Sequence, residues 1–492
     1  MLRFLLLLGD DASMADSHPD WLAHQSSAEA GRMPPPLGEM LKSYRVANKL
    51  TQADLAARLL IDQTYVSKIE RGVRVVRDVD FLARVAELLG VPLSELYSAN
   101  GHPAPAGRSP DPVAASQRRW LAVRRYLNRN RAALAAAAVA MYPETLRVGN
   151  VSLIVGDGWV PDEPVPLADI TLKWVNGPQR VALDGSEPEA FTARPLRAPG
   201  SAYDRYTSAV RYLDPPALFE NRPSYRLLDL DWSNGRGEMM FGLANYFDKL
   251  DISEAVGHET AAAMMQGRTS LSWEDLPFRT LIGDPFGFHC RAIIPAITTL
   301  MLRRRRTHGT ATFLLHWRDP AKVATASGLY DVIPAGEFQP SSMAPWDLLN
   351  DFDLWRNIVR ELSEELLGTP EHDGSRSVPI DYDAWPLYRA LNRARDARQV
   401  SIHCLGVALD ALTLATTIMT ALVIDDDVFD DLLSDLVTSN AEGITVFGQP
   451  GEHGIAFTSQ NVNHLLTSEP MASPGAGCLA LAWRYRALLL AS

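Results

Sequence analysis

Residues 49–72 read KLTQADLAARLLIDQTYVSKIERG, and the spacing of apolar positions in this stretch decides the N-terminal fold. Leu55, Ala56 and Leu59 fall at helical spacing, and so do Val66 and Ile69. Thr51 is placed as the N-cap of the first helix and Asp62 as the cap of the second, with a short break at Leu60 and Ile61 between them. Arg71-Gly72 ends the second helix with glycine at the C′ position. Working outward, Leu37, Met40, Leu41 and Tyr44 give a preceding helix that breaks at Asn48 to Leu50. Asp78 to Leu89, and then Val91-Pro92-Leu93 to Leu96, add two more. The pattern predicts an all-α, five-helix domain over residues 37–98.

Thr51-Gln52-Ala53-Asp54-Leu55-Ala56, Val66-Ser67-Lys68-Ile69-Glu70-Arg71-Gly72 and Leu88-Leu89-Gly90-Val91 closely resemble the phage-repressor-like XRE family of helix-turn-helix regulators. One departure is Leu60-Ile61 in the turn, where the family usually has glycine. The resemblance implies that the third helix lies in the major groove while the second crosses the phosphate backbone. Carried over by position, Gln63, Thr64, Ser67 and Lys68 become the base readers, and Gln52, Lys49 and Arg71 the phosphate contacts. Gln bonds adenine in bidentate fashion and Lys donates to guanine, so the residue types suit those roles. Double-stranded DNA is the implied partner. A homodimer is expected, because one recognition helix covers only a few base pairs. A helical protein-binding module of the same fold is the alternative.

The chain has 492 residues, 47% apolar and 22% charged, with a formal net charge of -12. That length implies two to four domains, and the composition excludes collagen-like, membrane or wholly disordered architecture. The negative balance excludes a protein that coats nucleic acid along its whole surface, so any DNA contact has to be local. Cys290, Cys404 and Cys478 are the three cysteines, too few and too scattered for a disulfide framework or a closed zinc site. A reducing, cytoplasmic location follows as the expectation. The apolar run Phe4 to Leu8 is too short for a signal-peptide core or a membrane span.

Residues 1–36, ending in Pro34-Pro35-Pro36, read as a disordered extension, and 99–115 as an Ala, Gly and Pro linker. Residues 116–143 contain no helix breaker before Pro143 and read as one connecting helix. It carries Arg118, Arg119, Arg124, Arg125, Arg129 and Arg131, which form either phosphate contacts, a contact between protomers or a solvated face. From about residue 144 short β-branched and aromatic runs alternate with turns and helices. A hairpin is expected at Ser233-Asn234-Gly235. This mixed α and β region divides, in this reading, into an α+β domain over 144–290 and a second domain over 291–492.

Within the second domain, strands at Thr312 to His316 and Tyr330 to Ile333 precede a helix over Leu354 to Leu367. Arg360-Glu361-Leu362-Ser363-Glu364-Glu365-Leu366 resembles the core motif of the Nudix hydrolases. The three glutamates stand at i, i+3 and i+4 on one helical face. The resemblance implies Mg²⁺ held by Glu361, Glu364 and Glu365 as metal-binding and catalytic residues. It also implies a nucleotide-like substrate or effector, a nucleotide or nucleotide sugar. Gly336 lies too far upstream for the family pattern, Phe352 replaces the expected glutamate, and the closing glycine is displaced to Gly368. An insertion around Ser341 to Asp351 accounts for the spacing. A ligand-sensing regulator is the leading reading, and a Mg-dependent diphosphate hydrolase with an attached DNA-binding domain is the alternative.

Other motifs carry less. His258-Glu259 is followed by Ala262 where a zinc-protease helix needs histidine. Asp425, Asp426, Asp427, Asp430 and Asp431 read as helix-capping carboxylates, and Arg303 to Arg306 as a turn between elements. His289-Cys290 and His403-Cys404 read as buried neighbours whose side chains point apart.

Overall fold

The computed structural model describes residues 36–492 except 60, 62, 75, 77–78, 90, 92–95, 97–110, 217–218, 234, 269, 319–327, 371–377, 434–435, 438–442, 447–453 and 492. The chain forms two compact units, Met1–Pro110 and Asp111–Ser492. The expected N-terminal extension up to residue 35, Leu60, Asp62 and most of the fifth helix lie outside the described residues. So does the 99–110 part of the linker.

In the first unit, α1 (Leu37–Ala47), α2 (Gln52–Leu59), α3 (Gln63–Glu70) and α4 (Val79–Leu89) follow the apolar periodicity. Leu37, Met40 and Leu41 turn inward from α1, Leu55 and Leu59 from α2, Val66 and Ile69 from α3, and Phe81, Leu82, Val85 and Leu89 from α4. Leu96, from the fifth segment, is fully buried in the same core. Pro36 fits the start of α1, since its missing N–H costs no helical bond there. Thr51 and Asp54 cap α2 reciprocally: the Asp54 N–H donates to Thr51 Oγ1 at 3.1 Å and the Thr51 N–H to Asp54 Oδ2 at 2.8 Å. α3 ends in a left-handed Gly72, φ 69°, with Gly72 N–H on the Ile69 carbonyl and Val73 N–H on the Lys68 carbonyl. These two bonds are those of a Schellman motif.

The second unit opens on a helix over Pro112–Arg129 capped by Asp111, whose carboxylate accepts the Val113 N–H at 3.0 Å. The helix thus starts four residues before the boundary read from the sequence. It also stops early: Asn130 leaves helical geometry, φ -122° and ψ 21°, with its side-chain amide on the Tyr126 carbonyl, and a new helix runs over Arg131–Val139. One connecting helix is therefore two. Asparagine offers the backbone a competing side-chain hydrogen bond, which suffices to break the run without proline or glycine.

The strands of this unit are β1 (Leu153–Ile154), β2 (Val165–Pro166), β3 (Ile170–Trp174), β4 (Leu196–Ala198), β5 (Ser201–Ala202), β6 (Pro223–Ser233), β7 (Arg236–Asn245), β8 (Pro295–Arg305), β9 (Thr310–Phe313), β10 (Leu315–Arg318), β11 (Tyr330–Val332), β12 (Ala335–Glu337), β13 (Val400–Asp410), β14 (Thr416–Asp425), β15 (Gly443–Val446) and β16 (Ile455–Ala456). The main sheet runs β1-β13-β14-β8-β9-β16, with β2 against β13 and β12 against β8. β14 lies parallel to β8 and antiparallel to β13, and every one of its residues is buried. A continuous apolar run of that kind marks a strand covered on both faces. The expected hairpin joins β6 to β7, pairing Ser233 with Arg236 around a left-handed Gly235.

No boundary falls at residue 290. One hydrophobic cluster takes Tyr225, Phe241 and Ile252 from one side of that position and Ile297, Phe338 and Ile358 from the other. The Leu227 N–H donates to the Ile293 carbonyl at 2.8 Å, and the Tyr225 N–H to that of Phe338 at 3.2 Å. Residues 144–290 and 291–492, read separately in the sequence, share a core.

Two further readings change. Arg303 to Arg305 end β8 and do not form a turn, and Asp425 ends the adjacent β14 in register with Arg304. Asp425 accepts from Arg304 Nε at 2.7 Å and Arg306 Nε at 2.6 Å, while Arg303 bonds Asp426 and Asp430. The acidic run makes an ion-pair ladder with the arginine run. Asp425 stands at the N-cap of the following helix without capping it. Among the described residues, no helix is long and apolar enough to cross a membrane.

Candidate nucleic-acid interface

The four positions read as base contacts gather on the outer face of α3. Gln63, Thr64 and Lys68 are exposed and Ser67 is half-buried, while Val66 and Ile69 between them enter the core. Tyr65 is held edge-on against Phe81 with ring centroids 5.7 Å apart. The helix is anchored from behind and presents polar side chains in front. Its approach to α1 is close: a Cβ added at Gly38 would stand 2.2 Å from the Ile69 carbonyl oxygen. Only glycine permits that contact.

Glu70 fixes the position of α2 against α3. Its carboxylate accepts Arg45 Nε at 2.7 Å, Arg45 Nη2 at 3.1 Å and the Gln52 amide at 2.8 Å. Burial pushes the Glu70 carboxyl up, but the bonds from Arg45 and Gln52 and the Arg45 charge outweigh it and hold the group below its ordinary value. Gln52 is thereby tied to the end of α3. Lys49 is exposed in the preceding turn and adopts the left-handed conformation, φ 55°. Arg71 is exposed at the C-terminal end of α3 and folds back to donate to the Ser67 carbonyl at 3.2 Å.

Arg74 is a residue that the motif did not supply. It is exposed, and its guanidinium sits 4.6 Å over the Tyr65 ring, on α3 itself. The signal for it was the recurrence of basic residues at 68, 71 and 74. Between positions 37 and 96 nine Lys and Arg face eight Asp and Glu, in a chain whose total is -12. The acidity therefore resides outside this unit, and the α3 region is open to a polyanion.

The second candidate site is the carboxylate helix Leu354–Leu367, which forms over the expected residues. Asp353 caps it, accepting the Arg356 N–H at 2.9 Å, and a left-handed Gly368 ends it. Glu365 Oε2 accepts the Ala335 N–H at 3.0 Å, and Glu361 presses so closely on Gly336 that a Cβ there would lie 2.0 Å from its carboxyl carbon. Asn357 also donates to Glu361 at 3.3 Å. The buried Arg360 donates to the Gln339 carbonyl at 2.8 Å. Burial lowers its pKa, but Tyr382, Asp351, Glu361 and Glu364 outweigh that and raise it. Lys249 pairs with Glu337 at 2.5 Å.

Glu365 is thus engaged by a backbone N–H and Glu361 by a side-chain amide. Among the described residues no group of three or more His, Cys, Asp or Glu side chains is placed to hold a metal ion. Glu361, Glu364 and Glu365 consequently do not fit the Mg²⁺ site expected of them. A different opening lies at the N-terminal end of the same helix. It is a cleft of about 250 Å³ lined by Ile170, Leu172, Asp353, Trp355, Tyr388 and Arg395. The Arg395 guanidinium lies 4.7 Å over the Trp355 ring, whose N–H donates to Asn392 at 2.8 Å.

Comparison with known proteins bears on the first site. A family described as helix-turn-helix matches residues 41–96. The HTH-type transcriptional regulator SlrR of Bacillus subtilis (strain 168) is 36% identical over 63 residues, which cover 13% of this chain and 41% of SlrR. The similarity spans about two fifths of that relative. Helix order, caps, core and family match agree: residues 41–96 of this chain are a helix-turn-helix domain.

Proposed function

We propose that this protein is a sequence-specific DNA-binding transcription regulator. The observation that carries the reading is the outer face of α3, where Gln63, Thr64, Ser67 and Lys68 stand clear of the core within a helix-turn-helix domain. Laid in the major groove, Gln63 has the two-sided amide that pairs with adenine, and Lys68 the ammonium that donates to guanine O6 and N7. Gln52, Lys49 and Arg71 then meet phosphates and set the register without reading sequence. A homodimer on a twofold-symmetric site supplies the base pairs that one helix lacks. A gel shift against the protein's own upstream region tests the assignment. Gln63→Ala with Lys68→Ala is expected to remove about 1–3 kcal/mol of discrimination per lost base contact, leaving non-specific binding. Unchanged specific binding would remove α3 from the recognition role.

In the same reading the second unit is the controller, and its effector is a small phosphorylated molecule of nucleotide type. Support comes from the cleft lined by Trp355, Tyr388 and Arg395, where the Arg395 guanidinium is placed to meet an anionic group such as a phosphate. The hydrolase alternative has less support, because among the described residues no group of three or more His, Cys, Asp or Glu side chains is placed to hold a metal ion. A panel of nucleotides and nucleotide sugars titrated against tryptophan fluorescence tests this part. Saturable quenching that Arg395→Ala weakens at least about tenfold, the loss of one charge-assisted contact, supports it. The absence of any response across the panel counts against a nucleotide effector.

A further inference from the structure

The helix Pro112–Arg129 sorts its arginines into two kinds. Arg124 turns inward with Trp120, Val123 and Leu127. It is paired, Nε with Asp214 at 2.7 Å and Nη1 with the Tyr206 hydroxyl at 3.0 Å. Arg131, just beyond the break, is likewise bound to Glu254 at 2.7 Å. Arg118, Arg119, Arg125 and Arg129 are exposed, and among the described residues none of them makes an ion pair or a hydrogen bond. The reading of all six as one basic surface therefore fails for Arg124 and Arg131 and narrows to the other four.

Their geometry is regular. At about 100° per residue, Arg118, Arg125 and Arg129 fall within roughly 40° of one another, diametrically opposite the buried face, with Arg119 at the flank. At about 1.5 Å per residue the three mark a straight stripe of roughly 16 Å. Between 112 and 143 the sequence contains six arginines and neither Asp nor Glu, in a chain with a net charge of -12. An acidic protein that keeps four exposed guanidinium groups without an ion pair along a helix whose own residues carry no carboxylate beyond the Asp111 cap presents a surface complementary to a polyanion. Guanidinium suits phosphate in particular, because its planar fork matches two phosphate oxygens.

We infer that the stripe Arg118, Arg125 and Arg129, flanked by Arg119, is a second DNA-contacting surface that grips the phosphate backbone and reads no bases. The inference rests on the DNA-binding reading of α3. Duplex DNA is the occupant, since the domain that recruits it is in the same chain and tethering raises the local concentration of the duplex at this helix. The stripe is about half of one duplex turn in length, so its three arginines can reach phosphates spread over about that length of the duplex. This surface adds affinity that is uniform over sequence and sensitive to salt.

The test uses the full chain and a mixed-sequence duplex, with binding measured over a series of salt concentrations. Each neutralised phosphate contributes about 0.9 to the slope of log affinity against log salt. Arg118→Gln with Arg125→Gln and Arg129→Gln is therefore expected to make the slope shallower by about 2 to 3, equivalent to roughly 40-fold less loss over a fourfold rise in salt. Its preference between sequences stays unchanged. The triple Arg→Lys variant keeps the wild-type slope, which separates charge from a folding defect. A glutamine variant with the wild-type slope, on a chain that still binds duplex, overturns the stripe alone. A wild-type chain that binds no duplex overturns the DNA reading and the stripe with it. Dissociation of a dimer by the glutamine variant, with its DNA slope unaltered, would assign the stripe to a second copy of the chain and overturn the inference.

Discussion

His258 is 1% exposed and stacked on Trp120, with ring centroids 5.4 Å apart and an interplanar angle of 24°. Tyr206 meets it edge-on at 5.7 Å. Burial, aided by the Arg124 charge, pushes its pKa down to about 3. The folded chain therefore refuses a proton that the unfolded chain takes near pH 6.5. Stability that depends on the neutral ring is complete above that value and is lost as pH falls towards 3. His258→Phe keeps an aromatic stack and removes the titration. In denaturant melts, wild type is expected to lose about 2 kcal/mol more than this variant between pH 7 and pH 5. Asp251 and Glu259, raised by burial to about 6 and about 7, act in the opposite sense in both proteins and cancel from the difference. Equal losses would show that His258 is not held neutral. At this scale the sequence disclosed Gln63, Thr64, Ser67 and Lys68, because helical periodicity separates them from Val66 and Ile69. It did not disclose the hold of Glu70 on Arg45 and Gln52, whose partners lie 25 and 18 positions away. Pairing of that kind is a product of the fold, and local spacing carries no trace of it.

Among the elements, α1 and α3 approach closely, since Gly38 admits the Ile69 carbonyl where a Cβ would stand 2.2 Å away. Gly38→Ala forces the helices apart. A loss of about 1–3 kcal/mol, the usual range for overpacking, is expected in thermal melts of the full chain. DNA affinity should fall with it as the orientation of α3 is lost. A variant as stable as wild type would mean that the two helices separate without penalty. Elements with local punctuation were legible in the sequence: α2 from Thr51 and α3 from Gly72. The break at Asn130 was not, because no proline or glycine marks it. The Arg303 to Arg306 run misled for a different reason. A cluster of charges reads as a solvated turn until its partners, Asp425, Asp426 and Asp430, are brought alongside by the parallel pairing of β14 with β8. The carboxylate helix shows the converse. Its spacing reproduced a metal-binding motif, yet Glu365 and Glu361 lie against the backbone of Ala335 and Gly336.

Across the whole molecule, charge divides between the two units. The helix-turn-helix unit is nearly neutral and exposes the α3 face, while the second unit carries the acidity of the chain. The helix-turn-helix unit was legible as a domain because its contacts are local and its core repeats within 60 residues. The extent of the second unit was not, because β8 to β14 and the β6-β7 hairpin close one core over more than a hundred residues of intervening chain. The central claim is that α3 reads DNA sequence. Selection of duplexes from a random pool by the full chain tests it most directly. Enrichment of a twofold-symmetric site with half-sites about one helical turn apart is the expected result. The preference is expected to collapse in the chain carrying Gln63→Ala and Lys68→Ala. No enrichment by the wild-type chain, or the same enriched site from the double variant, would contradict the claim.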